Sequence, residues 1–578
     1  MKKWISCLLL MVIAGSAQGA PAHLQDETPI RISKAESGVY LVDFGRVAFG
    51  NIRLLPSAGA NGDVVVHFGE AFSAGRINRK PPGTVRYAQA EATLHGSTVV
   101  APMADQRNAG GRAILTPPEW GVVLPFRWVE IEGWHGELLP EQIVRQSAFA
   151  STWDDNAASF ESSNEMLNQI WELCRYSIKA TTFAGLYVDG DRERIPYEAD
   201  AYLNQLSHYY TDHDVQMARD TIDHLLKHGT WPTEWAPHMV FMVHADWMQT
   251  GDVQWMAGRY ETLKSKTLAN RKGADGLVAS NGKQIKRDDI VDWPKQERDG
   301  YVFTERNTVV NAFHLRAMAL MGEMARALGK DDEAAKFESG ARTQIFQQTF
   351  YDSSAGLYRD GINTDHRSLH ANLFPLAFGL APEGKGEHIA DWLADRGMAC
   401  SVYAAQYLME ALFENGADRP AIELMTAHND RSWRHMVESG TTITWEAWDQ
   451  KYKPNQDWNH AWGAAPANLL PRYILGARPM TPGWEVALIR PNIGGLTAAK
   501  GKVPTPRGPI IVDWTYSDSF ILSLTLPKGM SARVELPMVG DSLGVFSGGQ
   551  PVKVTRIGNR WVLDQDIKGT VMLEVRTK

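Results

Sequence analysis

Cysteine is nearly absent. Only Cys7, Cys174 and Cys400 occur in 578 residues. That excludes a disulfide scaffold and a Cys-rich structural zinc site. An excess of positive charge is also missing. The formal net charge is −8, which argues against a surface built to track a nucleic acid backbone. No apolar run reaches the ~18 residues of a membrane span. No fixed-period repeat is visible, so a solenoid of regular units is disfavoured. The chemical motifs that are absent narrow the choice further. There is no phosphate-binding P-loop and no GxSxG elbow. His366 and His370 are four apart, but no acid lies between them as in HExxH. No metal and no cofactor is expected, and thiol catalysis has no supporting motif.

What is present is aromatic. The chain has 20 Trp and 17 Tyr, with 44% hydrophobic and 22% charged residues. The overall balance is that of a soluble globular protein, and the length suggests roughly three or four domains. Flat apolar rings with a polar edge suit sugar faces, although Trp also fills large helical cores. At the amino terminus, Lys2 and Lys3 precede the apolar run Cys7–Ala14, and small residues follow up to Gly19 and Ala20. This reads as a secretory signal peptide over residues 1–19. Export is expected, to a periplasm first and a secreted location second.

Three regions follow. Residues 20–155 read as short β-strands: Val39–Phe44, Asp63–Gly69 and Phe126–Gly133 lie between turn signals. They suggest a β-sandwich. Residues 156–475 read as helices, eleven or twelve of them. Ser162-x-x-Glu165 forms a capping box before one, Asp212 caps another, and Ala317–Leu328 carries an apolar stripe. A helical region of this size fits a closed (α/α)6 barrel, with an irregular α-solenoid as the alternative. Residues 476–578 return to strands, among them Pro509–Trp514, Phe520–Leu526 and Val571–Val575, and suggest a second β-sandwich.

Three loops concentrate ionisable and aromatic groups. Asp189-Gly-Asp191-Arg192-Glu193-Arg194-Ile-Pro-Tyr197-Glu198-Ala-Asp200 holds five carboxylates and two Arg, flanked by Phe183, Tyr187 and Tyr197. A polar loop is ordinarily just solvated. Carboxylates among aromatics, however, acquire the raised pKa of a general acid. In Thr441–Asp449, Glu446 stands between Trp445 and Trp448, and Asp457-Trp458-Asn459-His460-Ala-Trp462 follows. Such a set suits a sugar pocket, and equally a buried Trp cluster around one hydrogen-bonded Glu. Asp288–Glu297 places acids beside Trp293. In a barrel these loops gather at one end.

The residues now carry a resemblance. Val42-Asp43-Phe44-Gly45, His67-Phe68-Gly69-Glu70, Thr441–Trp448, Asn459-His460 and Lys500–Pro509 together resemble the bacterial α-L-rhamnosidases of glycoside hydrolase family 78, over almost the whole chain. The resemblance implies an (α/α)6 catalytic barrel and an inverting mechanism. It implies Glu193 as general acid and Glu446 as general base. Asp189, Arg192 and Asp200 would bind sugar, and Trp293, Trp445 and His460 would line the pocket. Gly190-Asp191 stands where the family often has Cys-Pro, and Pro196-Tyr197 where it has Gly-Trp. The spacing from Asp189 to Arg192 is one residue short, so Asp191 is an alternative to Asp189. The expected partner is an oligosaccharide or rhamnosylated glycoside, with no nucleic acid and no membrane span; no motif sets an oligomeric state. A hydrolase or lyase for another terminal sugar, and a glycan-binding protein without turnover, stand as alternatives.

Overall fold

The computed structural model describes residues 21–36, 38–57 and 61–577. The expected signal peptide lies outside them. Among the described residues no helix is long and apolar enough to cross a membrane.

The amino-terminal region is one continuous eight-stranded antiparallel sheet. Its hub is the strand Val39–Leu54, which pairs with Arg31–Glu36, Thr98–Val100, Leu124–Glu132 and Ile143–Ala150. The register of the hub against Leu124–Glu132 shifts between Asp43 and Ala48. Gly45, at φ +82°, stands in that break, and its N–H donates to Asp43 Oδ1 at 2.7 Å. The bend lets both halves of one strand face the same core. Tyr40, Val42 and Phe44 come from the first half, Ile52 and Leu54 from the second, and all pack with Val66, Phe68 and Phe126. Hydrogen bonding thus runs unbroken through all eight strands, with the register break at the bend.

The middle region is helical, and its helices alternate in burial. Glu198–Tyr209, His238–Thr250, Thr308–Ala327, Leu369–Ala377 and Val402–Glu414 are buried almost all round. Gln216–Lys227, Val253–Leu263, Asp331–Gly340, Gly386–Arg396 and Asp418–Met425 bury one face only. The sequence shows why. Thr308–Ala327 repeats Val, Ala, Leu, Met and Phe on every side, whereas Gln216–Lys227 confines them to one stripe. Each buried helix packs on the next, and the short helix Pro466–Leu469 packs on both Val402–Glu414 and Glu198–Tyr209, which closes the circuit.

The carboxy-terminal region forms a five-stranded sheet and six strands of a seven-stranded one. Val512, Trp514 and Leu573 from one meet Ile489, Val534 and Leu536 from the other in a core continuous with the helices. The strand Ser159–Ser162, which precedes the first helix, pairs with Ala498–Val503 and so ties the two regions together.

Two expected helix caps differ. The first helix, Glu165–Ala180, is capped by Asn164, whose side chain accepts from the N–H groups of Met166 and Leu167. Ser162 is occupied in the strand just described. Asp212 does not cap Gln216–Lys227; it accepts from the Asp154 N–H at 3.1 Å and stands 3.5 Å from His208.

Trp514 fastens the last sheet to the helices. It is fully buried, and its indole N–H donates to the Ile474 carbonyl at 2.8 Å. Replacing Trp514 by Ala is expected to remove about 3–5 kcal/mol of stability. Scanning calorimetry should show a lower first unfolding transition, with Trp514→Phe intermediate.

Candidate active site

The site is built by four stretches of chain, around residues 185–200, 231–235, 290–293 and 441–462, and the first and last of them meet where the sheet region covers the helices. The first, residues 185–197, leads into the helix Glu198–Tyr209. Gly190 makes the meeting possible. Its φ is +99°, and a Cβ there would lie 2.9 Å from the Asn459 carbonyl and 3.1 Å from Asp457 Oδ2. Only glycine lets the first loop lie against the last, residues 441–462.

Asp191 anchors this loop from below. It is 1% exposed. Its carboxylate accepts from Arg194 Nε at 2.9 Å and Nη2 at 2.6 Å, from Asn108 Nδ2 at 3.1 Å, and from the Arg86 guanidinium. Arg194 adopts φ +54°, unusual for a non-glycine residue. It is held there by Asp191, by the Val123 carbonyl at 2.6 Å, and by the Phe183 ring 5.0 Å away. Arg86, Asn108 and Val123 all belong to the sheet region. Asp191 is therefore consumed by structure, whereas Asp189 faces the cavity.

That cavity has a volume of about 220 Å³. Asp189, Arg192, Glu193, Asp200, Glu446 and His460 supply its polar walls, and Tyr197, Trp231, Trp235, Trp293 and Trp462 its aromatic ones. Of the eight residues to which the resemblance assigns a role, all but Trp445 are here. Trp445 lines a separate cavity and stacks on Trp458, with ring centroids 5.5 Å apart. Its neighbour Glu446 faces the other way. A larger cavity of about 560 Å³, lined by Arg316, Tyr407, Glu410 and Arg472 among others, contains none of the singled-out residues.

Electrostatics divide the carboxyls. Glu446 is 2% exposed. Arg192 grips it with both terminal nitrogens, at 2.7 and 3.0 Å. Lys453 Nζ lies 3.1 Å from Oε1, and the Asp457 N–H donates to Oε2 at 3.2 Å. Burial pushes its pKa up, but His460, Arg192 and Lys453 outweigh it and hold Glu446 down at about 2. Asp189 behaves oppositely. Burial, then the charge of Glu193, raises it well above the ordinary range. Its Oδ1 accepts from the Ile195 N–H at 2.9 Å. Asp200 is raised by burial and opposed by His460, whose Nε2 is 2.7 Å from Oδ1. Asp457 is pushed up to about 6 by burial and by the charge of Glu446. Glu193 differs in exposure: 39% of its side chain is accessible. Tyr197 donates to its Oε2 at 2.8 Å, and Arg192 Nε lies 3.6 Å from its Oε1.

Glu446, Asp457 and His460 bring ligand-type atoms within 4.8 Å of one another, as a metal site would. Both Glu446 oxygens are already engaged by guanidinium and ammonium groups, so the donor set does not suit a dication. In Asp288–Glu297 only Ile290 and Trp293 reach the cavity. Asp292 instead holds His370 at 2.7 Å and the Ser401 N–H at 2.9 Å, and Glu297 pairs with Arg431.

Sequence reading missed Lys453, which looks like a surface lysine between Tyr452 and Pro454. It also missed the reach of the sheet region. Glu70 accepts from Asn459 Nδ2 at 2.8 Å, and Thr84 donates to the Asp457 carboxylate.

A helical domain between two sheet domains, with acids and aromatics converging on one cavity, defines a glycosidase-type scaffold. The chain belongs to the bacterial α-L-rhamnosidase family. Residues 155–474 match the bacterial α-L-rhamnosidase six-hairpin glycosidase domain, 33–149 the concanavalin-like domain and 476–549 the C-terminal domain of that family. An α-L-rhamnosidase of Alteromonas sp. (strain LOR) is 25% identical over 552 residues, covering 88% of this chain and 57% of the relative. One of Streptomyces avermitilis is 23% identical over 553 residues, covering 89% and 50%. The chain thus spans about half the length of these curated relatives. The fold is shared with solved structures. An α-L-rhamnosidase from Dictyoglumus thermophilum superimposes with TM-score 0.78 at 17% identity, covering 97% of this chain and 64% of that one. The Streptomyces avermitilis α-L-rhamnosidase complexed with L-rhamnose gives 0.77 at 18%, covering 96% and 54%.

Removing Arg86 leaves Asp191 buried with less countercharge. Arg86→Met should cost about 3–5 kcal/mol, the penalty for orphaning one partner of a buried pair. Chemical denaturation followed by Trp fluorescence measures it; Asp191→Asn in the same background should recover part of the loss.

Proposed function

We propose that the chain is an exported, inverting exo-glycosidase that releases terminal α-L-rhamnose from glycans or glycosides, with Glu193 as general acid and Glu446 as general base. The observation that carries this reading is Arg192. One guanidinium touches both carboxyls, gripping Glu446 and lying 3.6 Å from Glu193. Two carboxyls sharing one planar fork have nearest oxygens no more than about 9 Å apart, within the ~9.5 Å limit of an inverting pair. Their environments also differ as the roles require. Glu446 is buried but kept ionised by cations, as a base must be before water arrives. Glu193 is half-exposed at the mouth, where a leaving group departs, and Tyr197 orients it.

In this scheme the sugar ring enters a cavity the size of one pyranose. Asp189, Arg192, Asp200 and His460 bind its hydroxyls; Trp231, Trp235, Trp293 and Trp462 pack against its faces. Glu446 takes a proton from water as that water attacks the anomeric carbon, and Glu193 protonates the departing oxygen. The alternation of buried and half-buried helices, and the closed circuit of the buried ones, support an (α/α)6 barrel holding this cavity at one end. Export rests on the signal-peptide pattern in residues 1–19, which supports a periplasmic location first and a secreted one second.

Hydrolysis of an aryl α-L-rhamnoside tests the reading. Glu446→Gln should lower kcat by ~10²-fold or more. Glu193→Gln should lose less on an activated aryl group than on a poor leaving group. Proton NMR of the first product should show the β anomer; the α anomer would mean retention. Absence of turnover by the folded wild type, with sugar still bound, would favour a binding protein, and release of an unsaturated sugar would favour a lyase.

Lys453 gives a pH test. Its ammonium helps depress Glu446, so Lys453→Met should raise that carboxyl's pKa. The acidic limb of kcat/KM should then move to higher pH, while the alkaline limb stays. An unmoved acidic limb would remove Glu446 from the role of base.

A further inference from the structure

One wall of the reaction cavity reaches further than a single sugar needs. Among the residues that line the cavity around Glu446, Trp231 alone is exposed, at 42%. Two other indoles of that cavity, Trp235 and Trp462, are 7% and 2% exposed. Trp235 packs edge-on against Tyr197, with centroids 5.6 Å apart, and the Trp462 indole N–H donates to the Glu446 carbonyl at 3.0 Å. Trp231 has neither kind of support. Its indole makes no hydrogen bond and no ring contact among the described residues.

The backbone that carries this ring is nonetheless fixed. Glu198 is 1% exposed, and its carboxylate accepts from the Thr230 N–H at 2.8 Å and from the Thr230 hydroxyl. A Cβ on Gly229 would lie 3.3 Å from the same carboxylate. Pro232 follows, buried and with φ −66°. Glu198 belongs to the acid-rich stretch around Asp189, yet it does not line the cavity. A buried carboxylate is unfavourable unless it is hydrogen-bonded, and Glu198 meets that need with the turn that presents Trp231.

The chemistry says what lies against this ring. In the proposed reaction Glu193 protonates the oxygen of the leaving group, so that group departs beside it. With one pyranose filling the 220 Å³, whatever it is joined to lies outside, past Glu193 and against the exposed part of Trp231. We propose that Trp231 determines specificity for the leaving group, holding one that carries a ring, phenolic or pyranosyl, and that Glu198 is the positioning residue that aims it. Both kinds of ring offer a flat apolar face, and a hydroxyl on either meets the indole N–H that no protein group accepts. A methyl group offers neither. The inference rests on the proposed function and adds the part of the substrate that the cavity leaves outside.

Three substrates test it: methyl α-L-rhamnoside, an aryl α-L-rhamnoside and an α-L-rhamnosyl disaccharide. Comparing variant with wild type on each one cancels its intrinsic reactivity. In Trp231→Ala, kcat/KM should fall about tenfold further on the aryl rhamnoside, the disaccharide or both than on the methyl rhamnoside. A selective loss on the aryl substrate alone identifies a phenolic leaving group, and on the disaccharide alone a pyranosyl one. Trp231→Phe should keep most of the preference. Glu198→Gln should lose part of it in the wild-type background and none in the Trp231→Ala background, a pattern that general loosening of the fold would not give. If Glu198→Gln does not fold, Thr230→Val removes one of the two donors and gives the same reading. An equal loss on all three substrates, or no loss, overturns the proposal. Failure of the proposed function shows differently, as no turnover of any rhamnoside by the folded wild type. The preference is then read from affinity: wild type should bind the aryl above the methyl rhamnoside, and Trp231→Ala should remove the difference; an unchanged difference overturns the proposal.

Discussion

The Arg192–Glu446 pair sets the constraint that the site obeys. A carboxylate at 2% exposure would ordinarily take up a proton. Here two cations and an imidazole hold it ionised. The guanidinium that grips it with two nitrogens must itself be aimed, and it has only a loop to stand on. The remaining architecture supplies the aim. Gly190 lets that loop lie against the loop bearing Asp457 and Asn459, and the Arg192 N–H donates to Asp457 Oδ2 at 3.1 Å. Asp191, one residue earlier, is clamped by Arg86 and Arg194. The alternating fates of Asp189, Asp191 and Glu193 follow: odd-numbered acids of one loop, pointed by turns at cavity, clamp and mouth.

This makes the sheet region part of the site rather than a neighbour. Glu70, Thr84 and Arg86 touch Asn459, Asp457 and Asp191. Burial pushes Glu70 up to about 8, so it crosses neutrality protonated in part and can sit beside two other buried acids without a third full charge. The helical circuit alone would leave Asp191 and Asp457 facing water, and the two loops would lose the contacts that fix their separation.

Much of this was legible in the sequence. The change from period-two to helical patterning near residue 160 and back after 476 is strong, because buried strands and buried helices demand different spacings of apolar residues. The acid loops stood out because carboxylates rarely cluster with Trp and Tyr without reason. What escaped was direction and distance. Trp445 and Trp462 are equivalent as letters in one Trp-rich stretch; only irregular backbone decides that one lines a separate cavity and the other the cavity around Glu446. Thr84 and Asp457 are 373 residues apart, and no local pattern links them. Ser162 and Glu165 fit a capping box, but a strand pairing more than 300 residues away took Ser162 and left the cap to Asn164.

Lys453 shows the same limit most sharply. Between Tyr452 and Pro454 it has the look of a solvated side chain, and lysines are seldom buried. Yet it is 5% exposed and 3.1 Å from Glu446. Desolvating an ammonium is unfavourable unless a carboxylate faces it, and desolvating Glu446 is unfavourable unless cations do. Neither burial is explicable alone; each is the condition of the other. A carboxylate that is both buried and ionised needs such mutual dependence, and a reading that treats residues singly will miss the cation and keep the acid.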